Sequence, residues 1–192
     1  MLLKPWLTVL IYLAYIGFGW LVFRVFVRRD YQNLGKLSGS SSFLEVLVFF
    51  VHGMISYLYL ESDFPFMPPL EPRPVLNVIG FGLMGIGLLG TLLAMSRLGF
   101  GVAVGQEAGS VQRTGFYAVT RNPQIILYTI LILGYSLLWT NWLTLLWVLI
   151  FLFVAHMMVI TEEEYLEKTY KEEYTAYCRE VPRYLFRTKS KL

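Results

Sequence analysis

The chain has 192 residues, of which 56% are hydrophobic and 15% are charged, and its formal net charge is +3. A mean hydropathy of +0.57 is too high for an ordinary soluble domain. The charged fraction of 15% is also well below the figure of about a quarter that soluble domains have. The single cysteine excludes a disulfide framework and a cysteine-based zinc site. The composition predicts an all-α polytopic membrane protein that forms a single membrane domain over residues 1–192.

Several apolar runs approach the length of about 20 residues that a membrane-spanning helix needs. They predict five spans, at about Trp6–Phe26, Phe43–Leu60, Val75–Met95 and, as two passes, Pro123–Ile160. Within the last run, Thr140 and Asn141 lie between two tryptophans and predict the bend of a helical hairpin.

Glycines recur through the third apolar run. They either allow two helices to approach closely or line a cofactor pocket, and the role of small residues at helix contacts in membranes favours packing. The glycines concerned are Gly80, Gly82, Gly85, Gly87 and Gly90.

Lysine and arginine side chains concentrate in alternate connections and in the C-terminal tail. Those of the first and third connections are Arg28, Arg29, Lys36, Arg97, Arg113 and Arg121. The second connection, 61–74, is acidic and rich in proline, which predicts a stiff extended lid. Because basic loops remain in the cytoplasm, we expect the N-terminus outside and the C-terminus inside the cell.

The segment from Thr161 to Pro182 has an amphipathic pattern. Its apolar face recurs at helical spacing and consists of Leu166, Tyr170, Tyr174, Tyr177 and Val181. We therefore expect a separate cytoplasmic helix that packs on the mouth of the bundle. Glu164 is spaced to pair with Lys168 on its charged face.

Two polar clusters flank the predicted hairpin. The triplet Arg121-Asn122-Pro123 begins the fourth span, and a run of three glutamates, 162–164, follows the fifth. Since the hairpin is antiparallel, both clusters should lie at the same membrane face. A structural alternative stays open for each: Asn122 as an N-cap before a proline, and Thr161 with Glu164 as a capping box.

Other chemistries have little support in the sequence. No phosphate-binding loop or nucleophile elbow is visible, and the chain has only two histidines, so no metal site is expected. The basic residues form no concentrated face of a soluble module, which argues against binding nucleic acid.

Two blocks in the C-terminal half carry a family pattern. The first reads GFYAVTRNP, from Gly115 to Pro123, and the second reads EEEYLEKTYKEEYTAYCREVPR, from Glu162 to Arg183. They resemble the isoprenylcysteine carboxyl methyltransferase and phospholipid methyltransferase superfamily, whose pattern has an R-H-P triplet, a hairpin and an E-E-x-x-L tail ending in V-P-R. The resemblance implies a division into three N-terminal spans, 1–97, and a cofactor-binding half, 98–192.

The resemblance also implies S-adenosylmethionine as the cofactor and methyl transfer to a lipophilic acceptor of the prenyl or lipid type that enters from the membrane lipids. It implies catalytic roles for Arg121, Asn122 and Glu163. The cofactor-binding residues that it implies are Gly115, Tyr117, Arg121, Asn122, Pro123, Glu162, Glu163 and Tyr177. The guanidinium would pair with the cofactor carboxylate, the glutamates would bind its amino or ribose groups, and the tyrosines would offer ring faces to the adenine or the sulfonium.

The chain departs from the family pattern at several positions. Asn122 replaces the histidine of the triplet, Ile125 replaces an aromatic residue and Ala118 replaces an arginine. Met158 stands where many members carry an arginine. If that arginine positions a carboxylate acceptor, its absence weakens carboxyl methylation, and a thiol, amine or phenol acceptor also fits.

These departures keep two other functions open. One is a non-catalytic membrane scaffold that retains the fold without the activity. The other, less supported, is a membrane reductase that uses NADPH, because the E-E-x-x-L tail favours methyl transfer.

Overall fold

The computed structural model describes residues 4–60, 68–103, 105 and 111–185, so that the first half of the predicted lid, 61–67, lies outside the described residues. Within those ranges the chain is all-helical, without strands, and forms seven α-helices. They are α1 (Pro5–Leu21), α2 (Arg28–Leu34), α3 (Gly39–Ile55), α4 (Pro74–Leu98), α5 (Phe100–Ala103), α6 (Pro123–Leu138) and α7 (Trp142–Glu180). A π-helical segment, Val22–Val27, joins α1 to α2 without a break.

Four helices of the described chain are long and apolar enough to cross a membrane. They are Pro5–Leu34, Gly39–Leu58, Pro74–Leu98 and Trp142–Glu180. The prediction of an all-helical polytopic membrane fold is therefore confirmed. The fifth pass depends on α6, whose 16 residues extend about 24 Å at about 1.5 Å per residue, so the count of five stays a prediction.

Glycines bring α4 and α6 into backbone contact. A Cβ atom on Gly87 would lie 2.7 Å from the Leu127 carbonyl oxygen, and one on Gly134 would lie 2.6 Å from the Gly80 carbonyl oxygen. Both separations are too short for a side chain. Glycine at these positions therefore allows close helix packing, as we expected for α4. Gly82, which also lies in α4, faces open space.

α7 continues through the segment that was expected to form a separate tail helix. Thr161 lies in its interior and its hydroxyl donates a hydrogen bond to the Met157 carbonyl oxygen at 2.9 Å, so the capping-box alternative is wrong. The helix is interrupted at Lys171, whose φ of 44° and ψ of −116° are not helical. The amphipathic tail is thus the kinked end of α7.

Glu164 on this helix has different partners from the one expected. Its carboxylate pairs with Arg24 at 2.9 Å and with Arg28 at 2.8 Å, instead of pairing with Lys168. Both arginines belong to the continuous helical stretch Pro5–Leu34, which we call the first helical rod. These ion pairs tie the end of the first rod to α7 where the apolar part of α7 ends.

A polar contact inside the bundle joins α3 to α7. The His52 and Trp147 rings stack with their centroids 4.3 Å apart, and the indole Nε1 donates a hydrogen bond to the His52 carbonyl oxygen at 2.7 Å. The imidazole Nε2 lies 3.1 Å from the Trp147 carbonyl oxygen. His52 is therefore a packing residue in the bundle.

α7 starts at a three-residue connection after α6. Asn141 is its N-cap, and the Oδ1 atom of its side chain accepts a hydrogen bond from the Thr144 backbone nitrogen at 2.9 Å. Asn141→Ala is expected to destabilise the protein by about 1 kcal/mol, because a free helix N–H loses its acceptor. Thermal unfolding in detergent checks this, with Asn141→Ser as a control that keeps a capping oxygen. An equal loss in both variants would contradict the capping role.

Candidate functional site

A cavity that contains charged and amide side chains, which we call the polar cavity, lies at one end of the bundle. Residues 28–38, 98–103, 111–124 and 161–185 form this end, which we call the site end. The cavity has an empty volume of about 900 Å³, including its open mouth. Six of the eight residues expected to bind a cofactor line it: Tyr117, Arg121, Asn122, Glu162, Glu163 and Tyr177. The fold thus joins residues from the two sequence blocks in one cavity.

The other two expected residues lie beside the cavity instead of in its lining. Gly115 has a φ of +62°, a conformation that favours glycine, and it begins the 3₁₀ turn Gly115–Ala118 that places Tyr117 on the wall. Pro123 is the first residue of α6. Both positions shape the backbone that carries the lining side chains.

Arg121 and Glu163 form the charged centre of the site. Arg121 Nη1 lies 3.1 Å from Glu163 Oε1, and both side chains are only 12% exposed. On the other side, Arg183 donates two hydrogen bonds to Glu163 Oε2, at 2.9 and 2.6 Å. Glu163 therefore lies between two guanidinium groups, and the hydrogen bonds from Arg183 raise the pKa of that arginine further.

This centre leaves hydrogen-bonding capacity unused. Despite its short distance, the Arg121–Glu163 contact lacks hydrogen-bond alignment, and neither Arg121 Nε nor Glu163 Oε1 has a hydrogen-bond partner among the described residues. Both atoms are buried. Buried donors and acceptors are normally satisfied, so one free donor and one free acceptor side by side suit a ligand that carries both kinds of group.

Arg121 is held in place by the tail part of α7. Its Nη1 donates to Cys178 Sγ at 2.7 Å and to the Tyr174 hydroxyl at 3.4 Å. The guanidinium carbon also lies 5.9 Å from the centre of the Tyr174 ring. The guanidinium is therefore oriented before any ligand binds.

Asn122 does not cap α6, although it occupies the N-cap position. Its Nδ2 instead donates a hydrogen bond to the Arg183 carbonyl oxygen at 3.1 Å. Asn122 therefore has the expected N-cap position before a proline, but its side chain makes no capping hydrogen bond within the described residues. The amide fastens the segment after α7 to the start of α6, so Asn122 also shapes the site through Arg183.

Residues 181–185 follow α7 and are hydrogen-bonded to the residues just before α6. The Arg121 backbone nitrogen donates to the Pro182 carbonyl oxygen at 2.9 Å, and the Thr120 hydroxyl donates to that of Arg183 at 3.1 Å. The Tyr184 hydroxyl lies 2.9 Å from His156 Nδ1, and burial raises the pKa of Tyr184 to about 12. Tyr184 therefore stays neutral at physiological pH and is able to donate to the imidazole.

Sequence reasoning missed several residues that line the cavity, and also Arg183, which holds Glu163. Tyr31 and Tyr165 stack with ring centroids 4.5 Å apart, and Gln124 accepts a hydrogen bond from the Tyr117 hydroxyl at 3.1 Å. Gln124 directly follows the triplet and Arg183 ends the V-P-R block, so proximity to the motifs could have found both. Tyr31 reaches the site from the first helical rod, and no local pattern marks it.

A second cavity adjoins the first between α3, α4, α6 and α7. It has about 880 Å³ of empty volume, including its mouth, and a mainly apolar lining. Leu98, Gln124 and Glu162 line both cavities. The polar and the apolar cavities are therefore immediate neighbours.

Comparison with known proteins identifies one family. The model of the phospholipid methyltransferase family matches residues 75–173, more than half of the chain, and the match contains the 121–123 triplet and both Glu162 and Glu163. No curated protein and no solved structure matches the chain. The four apolar helices and the family match together indicate an integral membrane protein of a methyltransferase family. The chain therefore belongs to the phospholipid methyltransferase family.

Proposed function

We propose that the protein is an integral membrane methyltransferase that uses S-adenosylmethionine to methylate a lipophilic acceptor entering from the bilayer. The observation that supports this most strongly is the pair of adjoining cavities at the site end. One is polar and contains a buried guanidinium and carboxylate, and the other is apolar. A family of methyltransferases supplies the reaction class.

The polar cavity has the donor set that the cofactor requires. The amino-acid part of S-adenosylmethionine carries a carboxylate and an ammonium group. These complement Arg121 Nε and Glu163 Oε1, which have no hydrogen-bond partner among the described residues. When bound, the cofactor supplies an electrophilic methyl group. Arg121 and Glu163 would hold and orient the cofactor, and Tyr117 and Tyr177 would place aromatic rings beside the cofactor.

Glu162 has a different position from Glu163. It lines both cavities, and its carboxylate has no ion-pair partner among the described residues. We place Glu162 at the boundary between the cofactor and the acceptor. Alignment of the two reactants in a site shielded from water would supply most of the rate enhancement.

The apolar cavity favours some acceptors over others. Met158 lines it at the position where many relatives of the resembled superfamily carry an arginine, and no lysine or arginine of the described chain lines it. An acceptor of the isoprenylcysteine type carries a carboxylate, which would find no cationic partner among the described lining residues. We therefore favour a non-carboxylate nucleophile on a lipophilic carrier.

We further propose that the site end faces the cytoplasm, with the N-terminus outside. The basic residues of the first and third connections support this orientation, since positive loops are retained on the cytoplasmic side. The cofactor is made in the cytosol, and an open mouth on that side would admit it directly. Membrane lipids would surround the exposed apolar faces of the helices.

Ligand-dependent thermal unfolding of the purified protein tests this proposal. At 100 times its dissociation constant, S-adenosylmethionine should stabilise the protein by about 2.7 kcal/mol and raise its Tm. S-adenosylhomocysteine serves as a second ligand with the same amino-acid and adenosine groups. Folded protein without any shift would favour the non-catalytic scaffold, and stabilisation by NADPH instead would favour the reductase.

A further inference from the structure

Three buried hydroxyl groups lie at the end of the bundle opposite the site end, and none has a hydrogen-bond partner among the described residues. They belong to Thr8 in α1, Tyr59 after α3 and Thr144 in α7, residues that are 0%, 7% and 1% exposed. Buried polar groups are normally hydrogen-bonded, and the lipid around a membrane bundle offers them no partner. These hydroxyls therefore have unused capacity to bind a polar ligand.

The two threonines differ from those inside the helices. The Thr129 and Thr161 hydroxyls donate to the carbonyl oxygen four residues earlier, at 2.7 and 2.9 Å. Thr8 and Thr144 lie in first turns, where this acceptor is in use or missing. The Lys4 carbonyl oxygen already accepts from two backbone nitrogens, and the residue four before Thr144 precedes the N-cap of α7. Both hydroxyls are therefore available to a partner outside their own helix.

The tertiary structure brings the three hydroxyls into one layer of the bundle. Tyr12, one turn after Thr8 on the same face of α1, donates a hydrogen bond to the Leu143 carbonyl oxygen at 3.0 Å. Thr144 is the next residue of α7. The Tyr12 and Tyr59 rings pack edge to face with centroids 6.5 Å apart. The Tyr59 hydroxyl lies close to those of Tyr12 and Thr144 without hydrogen-bond geometry.

A water molecule is the ligand that matches three hydroxyl groups. Each hydroxyl both donates and accepts, and a buried water makes about three hydrogen bonds. A metal ion would need negatively charged ligands to compensate its charge, and the described chain contains no group of histidine, cysteine, aspartate or glutamate side chains that could hold one. The chemistry of the site therefore favours water over a cation.

We propose that Thr8, Tyr59 and Thr144 bind one internal water molecule, which joins α1, the end of α3 and α7. None of the three residues lines the polar or the apolar cavity, so the inference is independent of the proposed function. The water gives each hydroxyl a partner where the packing of the helices leaves it unsatisfied. It thereby stabilises the bundle at the end opposite the site end.

X-ray radiolysis of the full chain in nanodiscs, in water labelled with heavy oxygen, tests the site. The radiation converts a bound water molecule into a hydroxyl radical, which oxidises the adjacent side chain. Tyr59 should take up heavy oxygen in the wild type. It should lose most of this labelling in Thr8→Val and in Thr144→Val, because valine has nearly the shape of threonine without the hydroxyl.

Two control variants separate the loss of a hydroxyl at the site from a general effect of substitution. Thr144→Ser retains a hydroxyl and should keep the labelling of Tyr59. Thr129→Val removes a hydroxyl that bonds within its own helix, and it should also keep the labelling. A wild-type Tyr59 without label, or equal labelling in the wild type and both site variants, would overturn the proposal.

Thermal unfolding gives a second test with a definite sign. Replacing a hydroxyl that lacks any partner by a methyl group is neutral or stabilising, whereas removing one that binds water costs stability. Thr8→Val and Thr144→Val should each lower the Tm by about 2–4 °C, and the double variant should lower it little further, because both hydroxyls share one water. An unchanged or raised Tm in both single variants, or additive losses in the double variant, would refute the shared water. The two positions keep the test decisive if one variant folds poorly.

Discussion

Glu163→Gln is expected to eliminate the stabilisation of the protein by S-adenosylmethionine. Glu163 accepts two hydrogen bonds from Arg183 and lies 3.1 Å from Arg121, with only 12% of its side chain exposed. The neutral amide removes the negative charge that would bind the cofactor ammonium. It also leaves two guanidinium groups close together without a counter-charge.

The same substitution should lower the stability of the ligand-free protein. Removing one partner of a buried ion pair costs about 3–5 kcal/mol, because the other charge stays buried without compensation. The decisive readout is therefore the shift in Tm that the ligand produces, not the Tm itself. Glu163→Asp, which retains the charge on a shorter side chain, should recover part of this shift.

Glu164→Gln provides a control on the adjacent residue. Its carboxylate pairs with Arg24 and Arg28, is 36% exposed and lines neither cavity, so its loss should cost at most about 1 kcal/mol. The ligand-induced shift in Tm should remain at the wild-type value. A normal shift in Glu163→Gln, or an equal loss in both variants, would show that Glu163 does not bind the cofactor.

Gly87→Ala should separate α4 from α6 and destabilise the protein by about 1–3 kcal/mol or more. The new methyl group would lie 2.7 Å from the Leu127 carbonyl oxygen and against the Leu131 backbone. Backbone atoms cannot move away as a side-chain tip can, so one helix must shift. Since α6 begins at Pro123, two residues after Arg121, we also expect weaker cofactor binding.

Gly82→Ala is the matched control on the same helix. Apart from its chain neighbours and the backbone of its own helix, no atom of the described chain lies within 4 Å of its added Cβ, so this variant should unfold close to the wild-type temperature. Thermal unfolding in the same detergent compares the two variants. If Gly87→Ala proved as stable as Gly82→Ala, the two helices would not be in backbone contact at Gly87.

Local signals in the sequence predicted much of the fold. Runs of apolar residues predicted the four long helices because backbone groups in lipid must bond within their own segment. Asn141 indicated the break before α7, since its side chain satisfies a free N–H at the helix start. Such features depend on neighbours in the chain and can be recognised without a fold.

Other features depended on contacts between distant segments. Asn122 occupies the N-cap position before Pro123 as the spacing predicted, but its side chain bonds to Arg183 instead of capping the helix. The capping box at Thr161 was wrong, because Thr161 lies within α7. Arg183 approaches Glu163 only because the segment after α7 folds back on the start of α6. The spacing of residues along the chain does not predict that these two segments are in contact.

By itself, the sequence determined that this chain is a helical membrane protein with a polar triplet and a glutamate run near the predicted hairpin. Hydrophobic burial and backbone hydrogen bonding leave few other solutions for such a composition. Only the tertiary structure decided that Glu163 lies between two arginines, while Glu162 borders a second cavity that also contains Glu45. The physical reason is that charge pairing and cavity shape arise where separate helices meet. The sequence of one helix does not predict which other helices it contacts.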